Sequence, residues 1–319
     1  MNKLRVGILG CANIAIRSLA PAFQNHPSYE LIAFAGRNRI KTKETSKKFN
    51  CEAIISYQSL IDRNDIDLVY IPLPNSLHYE WVIKSLRSNK HVLCEKSLGC
   101  NYKEVESMVF ESRKNNKLLI ENFQFRFHSQ HQFVKKMIKN GDIGQIRCFR
   151  SSFGFPAFSD TQNIRYNNEL GGGALLDAGA YTIKATQFMM GDGFIVKAAN
   201  LNTPKEKNVD IFGGIYMQNK FGEFAELSFG FDNFYQCNYE IWGSKGKITA
   251  SRAFTAAPGF EPTVIIEKQN DIESINLPED DHFSNLLTHI INCIELNDFE
   301  IENLQNLQQA NNIREVVNL

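Results

Sequence analysis

The sequence predicts an α/β protein of two domains: a doubly wound parallel domain first, then an α+β domain with an open, mostly antiparallel sheet. Over the first 120 residues, short apolar runs alternate with helical patterns, which is typical of βαβ units. After residue 121 the strand-like runs become longer, and turns such as "NKFGE" and "GSKG" separate some of them, which is typical of antiparallel meanders. A chain of 319 residues is long enough for two domains of roughly 150 residues each.

The first domain, residues 1–121, contains six candidate strands, each a short apolar run between helical patterns. They are Leu4–Leu9, Tyr29–Ala35, Glu52–Ile55, Leu68–Ile71, His91–Cys94 and Leu118–Glu121. Because the intervening stretches have the length and spacing of helices, the six strands should form a parallel sheet covered on both faces.

The second domain, residues 122–319, opens with "FQFRFHSQHQFVKKMIKNGDIG", which predicts one helix leading to a Gly-Asp turn. A helix from Ala174 to Met190 interrupts the predicted strands, and from Asp281 the pattern is helical again, with a C-terminal helix that can pack back on the first domain. The strands are Ile146–Gly154, Phe194–Leu201, Val209–Gln218, Glu223–Gly230, Gln236–Trp242, Lys247–Ser251 and Thr263–Glu267. "FGGIYMQ" and "AELSFGFDNF" carry large apolar residues on the expected open face, which predicts a homo-oligomer, dimer or tetramer.

The composition indicates a cytoplasmic protein that does not bind nucleic acid or membranes. Lys and Arg together number 35, as do Asp and Glu, so no net field attracts a polyanion. Seven cysteines without a C-x-x-C pair indicate a reducing compartment. The start "MNKLRVGILGC" resembles a signal peptide only superficially, since its apolar run falls short of the usual ~7 residues, and no stretch approaches the ~20 apolar residues of a membrane span.

The stretch "VGILGCANIA" is a variant of the dinucleotide fingerprint G-x-G-x-x-G, with Ala12 and Ala15 in place of the second and third glycines. It follows the first strand and precedes a helix, as the fingerprint requires. Gly10 permits the sharp turn, and the small side chain of Ala12 lets the backbone approach a pyrophosphate at the helix N-terminus. The first domain is therefore predicted to be a Rossmann dinucleotide-binding domain; the alternative is a bare β–turn–α corner.

The end of the second predicted strand favours NADP over NAD. An NAD site usually has Asp or Glu there for the ribose 2′-hydroxyl, whereas this sequence reads "FAGRNRIK". Arg37 can bind a 2′-phosphate with its planar guanidinium, which a carboxylate would repel. Arg39 and Lys41 are interpreted as the solvated first turn of the next helix.

Three segments resemble the Gfo/Idh/MocA oxidoreductase family: "GCANIA", "PLPNSLHYEWVIKSLRSNKHVLCEKSL" and "ELGGGALLDAGAY". The resemblance covers essentially the whole chain, and its E-K motif and G-G-G-x-x-x-D-x-x-x-Y/H segment are specific. It implies dinucleotide contacts from the segments after the fourth and fifth strands, although His78 has the alternative of capping the helix that begins there. The complete set of expected cofactor-binding residues is Gly10, Cys11, Ala12, Asn13, Ile14, Gly36, Arg37, Pro72, Leu73, Asn75, His78, Glu95, Lys96, Asn122 and Arg165.

The resemblance implies that Lys96 is catalytic, since the lysine of the family's E-K-P motif lies beside the nicotinamide. A ketone that accepts hydride becomes an alkoxide, and a desolvated ammonium stabilises that developing charge. Burial would also lower the lysine pKa and ease proton transfer at neutral pH. The alternative is a surface lysine at a strand end. The sequence departs from the family pattern at Ser97, where proline, often with a cis bond, is usual.

Tyr181 is the second expected catalytic residue and also a substrate contact. It lies four residues after Asp177, so the two share one face of a helix with a glycine-rich start. Tyrosine, where many members have histidine, resembles the branch with nucleotide-sugar 3-ketoreductases, dimeric dihydrodiol dehydrogenase and glucose–fructose oxidoreductase. Tyr181 is expected to protonate the carbonyl oxygen, and Asp177 and Arg126 to contact the substrate. The alternative is a core tyrosine, with Asp177 bonded locally to backbone.

The predicted function is NADP(H)-dependent oxidoreduction of a sugar carbonyl or hydroxyl, as ketoreductase of a nucleotide-linked keto-sugar. Arg252, in "WGSKGKITASRAFTAAPGFEP", could reach a diphosphate, or could simply be solvated. Two alternatives stay open: a free aldose or trans-dihydrodiol dehydrogenase, and a dinucleotide-sensing regulator without turnover. No metal is expected, because the pairs His128–His131 and His289–Cys293 have no third ligand nearby.

Overall fold

The computed structural model describes residues 3–319, which form two compact units. The first unit runs to Asn122 and includes Phe283–Ala310; the second comprises Phe123–His282 and Asn311–Leu319. The sequence-based boundary near residue 121 coincides with the junction at Asn122. The helical segment 283–310, which the sequence analysis grouped with the second domain, clusters with the first unit.

The first unit contains a six-stranded parallel sheet in the order β3-β2-β1-β4-β5-β6. The strands are β1 (Leu4–Leu9), β2 (Tyr29–Ala35), β3 (Glu52–Ile54), β4 (Leu68–Ile71), β5 (His91–Glu95) and β6 (Leu119–Asn122). This is the strand order of a dinucleotide-binding Rossmann domain, so the predicted fold of the first half is confirmed.

Five helices alternate with these strands, and three of them begin at a side-chain cap. They are α1 (Ala20–Asn25), α2 (Arg39–Lys48), α3 (Tyr57–Ile61), α4 (Asn75–Arg87) and α5 (Tyr102–Asn115). Asn38, Ser56 and Asn101 each accept a hydrogen bond from a backbone N–H in the first turn of α2, α3 and α5, respectively. Helices α2, α3 and α5 therefore each start at a fixed point after the preceding strand.

The second unit contains an eight-stranded sheet in the order β14-β13-β12-β11-β7-β10-β9-β8. Its strands are β7 (Ile146–Phe155), β8 (Ile195–Asn202), β9 (Phe212–Gln218), β10 (Phe224–Phe231), β11 (Gln236–Gly243), β12 (Gly246–Ser251), β13 (Thr263–Lys268) and β14 (Asp271–Asn276). Only the pairing of β7 with β10 is parallel among these strands, so the sheet is mostly antiparallel, as predicted. The sequence analysis missed β14, a mostly exposed edge strand without an apolar run.

The predicted single helix after residue 121 is wrong at its start. A 3₁₀ turn at Gln124–Phe127 comes first, and α6 (Ser129–Asn140) begins only after His128. The His128 ring accepts a hydrogen bond from the Gln130 N–H at 3.3 Å, and this cap sets the start of α6. The helix ends at Gly141, whose positive φ of 77° closes the last turn.

One face of the second sheet is covered by α7 (Ala180–Met190) and carries most of the large apolar side chains. Ile215, Met217, Leu227 and Phe229 are buried on this side, which corrects the expectation that "FGGIYMQ" and "AELSFGFDNF" point their large apolar residues at the open face. Buried and exposed side chains alternate along these strands, as expected. The sequence analysis, however, assigned these four residues to the wrong face of the sheet.

The opposite face carries a row of cross-strand ion pairs. Arg150 contacts Glu226 at 2.6 Å and Glu240 at 3.2 Å, and Lys247 contacts Glu240 at 3.3 Å and Glu267 at 2.5 Å. Half-exposed pairs of this kind each contribute at most ~1 kcal/mol to stability. This face is therefore more polar than the sequence analysis expected.

The chain ends in two helices, α8 (His282–Leu296) and α9 (Glu300–Val317). Within the first unit, the Tyr29 hydroxyl donates to the Leu287 carbonyl at 2.7 Å, and the Asn306 amide donates to the Leu119 carbonyl at 3.0 Å. These buried bonds fix the segment 283–310 against β2 and β6. Across residues 3–319, no helix is both long enough and apolar enough to cross a bilayer.

Candidate active site

The turn after β1 has the backbone form that a dinucleotide pyrophosphate requires. Gly10 adopts φ +104°, and a Cβ there would lie 2.9 Å from the Leu73 side chain, so a larger residue does not fit. Its N–H donates to the Ala35 carbonyl at 2.7 Å, and the helix that follows starts at once, with the Ile16 N–H donating to the Ala12 carbonyl at 3.1 Å. The exposed or half-buried residues Cys11 to Ile14 thus form a helix N-terminus that fits a bound phosphate group.

The end of β2 carries an arginine where a carboxylate would select NAD. Arg37 is exposed and close enough to the Tyr57 hydroxyl to hydrogen-bond, which partly offsets the rise that burial causes in the Tyr57 pKa. A Cβ on the preceding Gly36 would overlap the Thr42 hydroxyl, so the backbone there is held close to α2. Arg39 and Lys41 are exposed in the first turn of α2. The residues at this end of the sheet therefore fit a 2′-phosphate.

The segment after β4 contains Pro72, Leu73 and Asn75, which are buried or half-buried at the start of α4. His78, one turn into α4, is fully buried, with its ring nitrogens 2.8 Å from the Ser97 carbonyl oxygen and 2.8 Å from the Leu73 carbonyl oxygen. Both nitrogens therefore face backbone carbonyls of the protein. The ring does not bond to an N–H of the first turn of α4. Burial lowers the pKa of His78, so the neutral ring donates to one of the two carbonyls only.

Lys96 follows directly after β5, at the same edge of the sheet as the Gly10 turn. The neighbouring Glu95 accepts hydrogen bonds from the Tyr70 hydroxyl and from the Asn122 amide, both at 2.6 Å. Burial raises the pKa of Glu95, while these two bonds and the charge of Lys96 oppose the rise. The Lys96–Ser97 peptide bond is cis, although residue 97 is serine. The structure thus brings Glu95, Lys96 and Asn122 together in the first unit.

In the second unit, Asp177 lies in a π-helical turn, Leu175–Gly179, that continues into α7 with Tyr181, and this helix is capped by a residue that the sequence analysis missed. The Asp210 carboxylate accepts from the Leu175 N–H at 2.6 Å, and the Asp210 carbonyl accepts from the Ala174 N–H at 2.9 Å. Gly173 precedes the helix with φ +114°. Burial raises the Asp210 pKa and three backbone bonds lower it. The sequence analysis placed Asp210 inside the predicted strand Val209–Gln218, whereas the strand begins only at Phe212, so no capping signal was recognised.

Asp177 pairs with Arg165 within this unit. Arg165 Nε lies 2.5 Å from Asp177 Oδ2, and the guanidinium lies 5.0 Å from the centre of the Phe158 ring. The Arg165 carbonyl also accepts from the Gly173 N–H at 2.9 Å, which ties its loop to the start of the helix. A residue predicted to contact the cofactor and one predicted to contact the substrate are therefore direct partners.

Tyr181 lies in a nest of aromatic rings and is only 8% exposed. The rings of Phe153 and Phe123 lie edge-on at centroid distances of 5.0 and 5.3 Å, and those of Phe254 and Phe125 lie at 5.7 and 5.9 Å. These contacts fix the plane of the ring, so the direction of the hydroxyl is determined by the core of the unit.

Three cations lie in the same unit near these aromatic rings, and two of them, Lys184 and Lys135, were not singled out from the sequence. Lys184, one turn after Tyr181, is 2% exposed with its ammonium 5.5 Å from the Phe123 ring centre, and Arg126 is also buried. Lys135 lies over the Phe188 ring at 3.4 Å; burial, and to a lesser degree the charge of Arg126, lower its pKa to about 8. The only sequence signal for Lys184 was its position on the face of α7 shared with Tyr181.

The remaining candidates lie elsewhere. Arg252 adopts φ +53° with its guanidinium 5.4 Å from the Tyr235 ring centre. His131 contacts the Tyr239 hydroxyl at 2.9 Å and the Ala253 carbonyl at 3.0 Å, whereas His289 contacts Glu302 at 3.0 Å and Cys293 at 3.4 Å. Within residues 3–319, no three His, Cys, Asp or Glu side chains are grouped so as to hold a metal ion.

Comparison with known proteins extends these observations over nearly the whole chain. Residues 4–123 match the family model described as an oxidoreductase family with an NAD-binding Rossmann fold, and residues 131–249 match the GFO/IDH/MocA C-terminal domain. A parallel dinucleotide-binding sheet joined to an open mostly antiparallel sheet defines a two-domain nicotinamide-dependent oxidoreductase. The chain belongs to the Gfo/Idh/MocA oxidoreductase family.

Two of the similar proteins have names that describe reactions on sugars. The chain is 38% identical over 285 residues to dTDP-3,4-didehydro-2,6-dideoxy-alpha-D-glucose 3-reductase of Saccharopolyspora spinosa, which covers 89% of this chain and 86% of the relative. D-xylose 1-dehydrogenase (NADP(+)) 2 of Haloferax volcanii is 29% identical over 79% of this chain and 77% of its own.

A solved structure with a similar fold is that of KijD10, a 3-ketoreductase from Actinomadura kijaniata, in complex with NADP and TDP-benzene. It superposes with a TM-score of 0.96 at 36% identity, covering 99% of this chain and 98% of that one. Further structures of KijD10, again with TDP-benzene and NADP, carry one replaced lysine or one replaced tyrosine.

Proposed function

We propose that this protein reduces the 3-keto group of a nucleotide-linked deoxy-sugar with NADPH. The supporting observation is the joint presence of Lys96 and Tyr181 in a chain 38% identical to dTDP-keto-sugar 3-reductases over 89% of its length. In KijD10 the lysine and the tyrosine that were replaced singly are about as far apart in sequence as Lys96 and Tyr181. These two residues are therefore the proposed catalytic pair.

NADP is the proposed cofactor. Arg37 at the end of β2 supplies a planar cation for a 2′-phosphate, and among residues 36–41 the sequence "GRNRIK" has no carboxylate that would repel one. The Gly10 turn with the helix N-terminus behind it fits the pyrophosphate. KijD10, similar over 99% of this chain, was crystallised with NADP.

In the proposed reaction, NADPH supplies the hydride that converts the ketone carbon to a secondary alcohol. The Lys96 ammonium stabilises the negative charge that develops on the substrate oxygen. The Tyr181 hydroxyl donates the proton that this oxygen requires and becomes a phenolate. Asp177, oriented by Arg165, accepts a hydrogen bond from a sugar hydroxyl and so aligns the ring.

Dehydrogenation of a free aldose is the second candidate, supported by the 29% identity to a D-xylose dehydrogenase. Oxidation of a trans-dihydrodiol, and a dinucleotide-sensing role without turnover, remain as further alternatives. Lys96 and Tyr181 favour turnover, because a sensor requires neither an ammonium nor a phenol at the reacting carbon.

We also propose a cytoplasmic homo-oligomer. The seven cysteines are all free thiols, which fits a reducing compartment. The open face of the second sheet presents half-exposed rings such as Phe212 and Tyr216 beside its ion pairs, a mixture suited to a second copy of the chain. A monomer in sedimentation at working concentration would contradict the assembly.

Substrate profiling tests the function. Purified protein is assayed for NADPH oxidation with a dTDP-linked 3-keto-deoxy-sugar, and for NADP⁺ reduction with free aldoses and a trans-dihydrodiol. We expect kcat/KM to be at least 100-fold higher for the nucleotide-linked ketone. Turnover of free sugars alone would contradict the nucleotide-linked substrate, and binding of NADPH without turnover of any of them would support the regulator.

A further inference from the structure

The peptide group that follows Ser97 is held at both ends by buried side chains. The Ser97 carbonyl oxygen lies 2.8 Å from His78 Nδ1, and the N–H of Leu98 donates to Glu121 Oε1 at 2.8 Å. His78 belongs to α4 and is 0% exposed, whereas Glu121 belongs to β6 and is 2% exposed. Two elements on different sides of β5 thus fix the plane of one peptide, one residue after Lys96.

His78 also lies between this peptide and the dinucleotide turn. Its second ring nitrogen lies 2.8 Å from the Leu73 carbonyl oxygen. The Leu73 side chain lies directly beneath Gly10, where an added Cβ would approach it to 2.9 Å. Leu73, which is half-buried, therefore lies next to both His78 and the turn that fits the pyrophosphate.

A fixed backbone at Ser97 keeps the Lys96 ammonium in place. Serine at position 97 lacks the ring that would restrict φ in proline, so the backbone needs other constraints. A long lysine side chain magnifies any backbone shift at its base, and displacement of a reacting group by about 1 Å can reduce rate by roughly 100-fold. Buried hydrogen bonds to the supporting backbone are an effective way to prevent such a shift.

We propose that His78 and Glu121 form a peptide clamp on Ser97–Leu98 and act as positioning residues for Lys96. This inference rests on the proposed function, in which Lys96 stabilises charge on the substrate oxygen. Neither clamp residue needs to touch substrate. The clamp affects turnover through the location of the ammonium, and its Glu121 side has no contact with the dinucleotide turn, because β4 and β5 lie between β6 and β1.

The first test compares Glu121→Leu with Glu121→Gln. The leucine variant removes the acceptor for the Leu98 N–H, while the glutamine variant keeps a carbonyl oxygen at that place. We expect kcat to fall by roughly 10- to 100-fold in Glu121→Leu. In Glu121→Gln we expect kcat within about threefold of wild type, with the NADPH Kd of both variants within threefold as well. Equal kcat values in the folded leucine and glutamine variants would overturn the clamp.

A matched control is available in β5, at the end of the strand opposite to Lys96. His91 begins β5 and accepts a hydrogen bond from the Leu118 N–H at 3.1 Å, so it resembles His78 in bonding to backbone. His91→Gln should alter thermal stability without changing kcat, whereas His78→Phe should lower kcat by roughly 10- to 100-fold. A loss of kcat in both variants would indicate a general effect of stability and would overturn the specific role.

A double-mutant cycle with Lys96→Ala separates this inference from the proposed function. If His78 acts through Lys96, His78→Phe should change the residual turnover of Lys96→Ala by less than threefold. Multiplying losses would overturn the clamp but leave the ketoreductase function intact. Wild-type turnover in Lys96→Ala alone would instead contradict the proposed catalytic role of the lysine. If His78→Phe does not fold, the comparison of Glu121→Leu with Glu121→Gln still tests the clamp. Glu121→Leu combined with Lys96→Ala then replaces His78→Phe in the double-mutant cycle.

Discussion

The Arg165 guanidinium is paired with the Asp177 carboxylate, with Nε 2.5 Å from Oδ2. The Asp177 side chain is 15% exposed and that of Arg165 37%, so the carboxylate is the more enclosed partner. Asp177 lies one helical turn before Tyr181, and the Arg165 loop is anchored to the start of the same helix. The ion pair therefore sets the orientation of the Asp177 carboxylate, which is proposed to bind the substrate, next to Tyr181, the proposed proton donor.

This pair gives the first prediction. Asp177→Asn should lower kcat/KM for the nucleotide-linked ketone by roughly 10- to 100-fold, because a charged acceptor for a sugar hydroxyl is lost. Arg165→Met should cause a smaller loss by freeing the carboxylate to rotate. Steady-state kinetics of both variants and of the double variant measure the coupling. Strictly multiplicative losses would show that the ion pair does not orient Asp177.

The second prediction concerns cofactor choice at Arg37. Arg37→Ser should raise the KM for NADPH by roughly 10- to 100-fold, since a charge-assisted bond to phosphate is removed. The KM for NADH should change by less than threefold. Arg39→Ser, an exposed change in the first turn of α2, serves as control and should leave both values unaltered. Equal effects of Arg37→Ser on NADPH and NADH would contradict 2′-phosphate recognition.

The third prediction concerns acid sensitivity. Burial above all lowers the pKa of His131 and of His282 to about 3, against an ordinary value of 6.5 in the unfolded chain. The unfolded state therefore binds more protons at mildly acid pH, and the free energy of unfolding falls as pH drops from 6.5 towards 3. Each histidine should contribute a slope of roughly 1.4 kcal/mol per pH unit in that window.

Urea unfolding between pH 4.5 and 7.5 measures this slope in the wild type and in His131→Gln. Glutamine keeps a donor and an acceptor for Tyr239 and Ala253 but does not titrate. The variant should lose less stability than the wild type as pH falls. Parallel pH profiles for the two proteins would show that His131 is not held uncharged by the fold.

The sequence determined the elements that depend on local patterns. β1, β2 and β4 have the predicted bounds because each is an apolar run flanked by turns or helix caps, and the fingerprint turn followed from Gly10 and its neighbours. β14 and the 3₁₀ turn before α6 were missed. β14 lacks apolar alternation. The 3₁₀ turn was assigned to α6 because the helical pattern alone does not identify His128 as the residue that caps α6.

The contacts of the site depend on distant parts of the chain and were less predictable. Asp210 caps the Tyr181 helix from 35 residues beyond Leu175, and no local signal joins the two. His78 was expected to contact the cofactor, yet both ring nitrogens face backbone carbonyls, one of them 19 residues away. Residue types and the order of the motifs indicated which side chains are candidates for the site. Their hydrogen-bond partners became known only from the fold.

The most direct test of the account is NADPH oxidation with a dTDP-linked 3-keto-deoxy-sugar by wild type, Lys96→Met and Tyr181→Phe, with NADPH binding measured in parallel. We predict rapid turnover by the wild type, at least 100-fold lower kcat in each variant, and NADPH Kd values within threefold of one another. Wild-type kcat in either variant would contradict the proposed charge stabilisation and proton donation. Absence of turnover in all three, with NADPH bound equally, would contradict the ketoreductase itself.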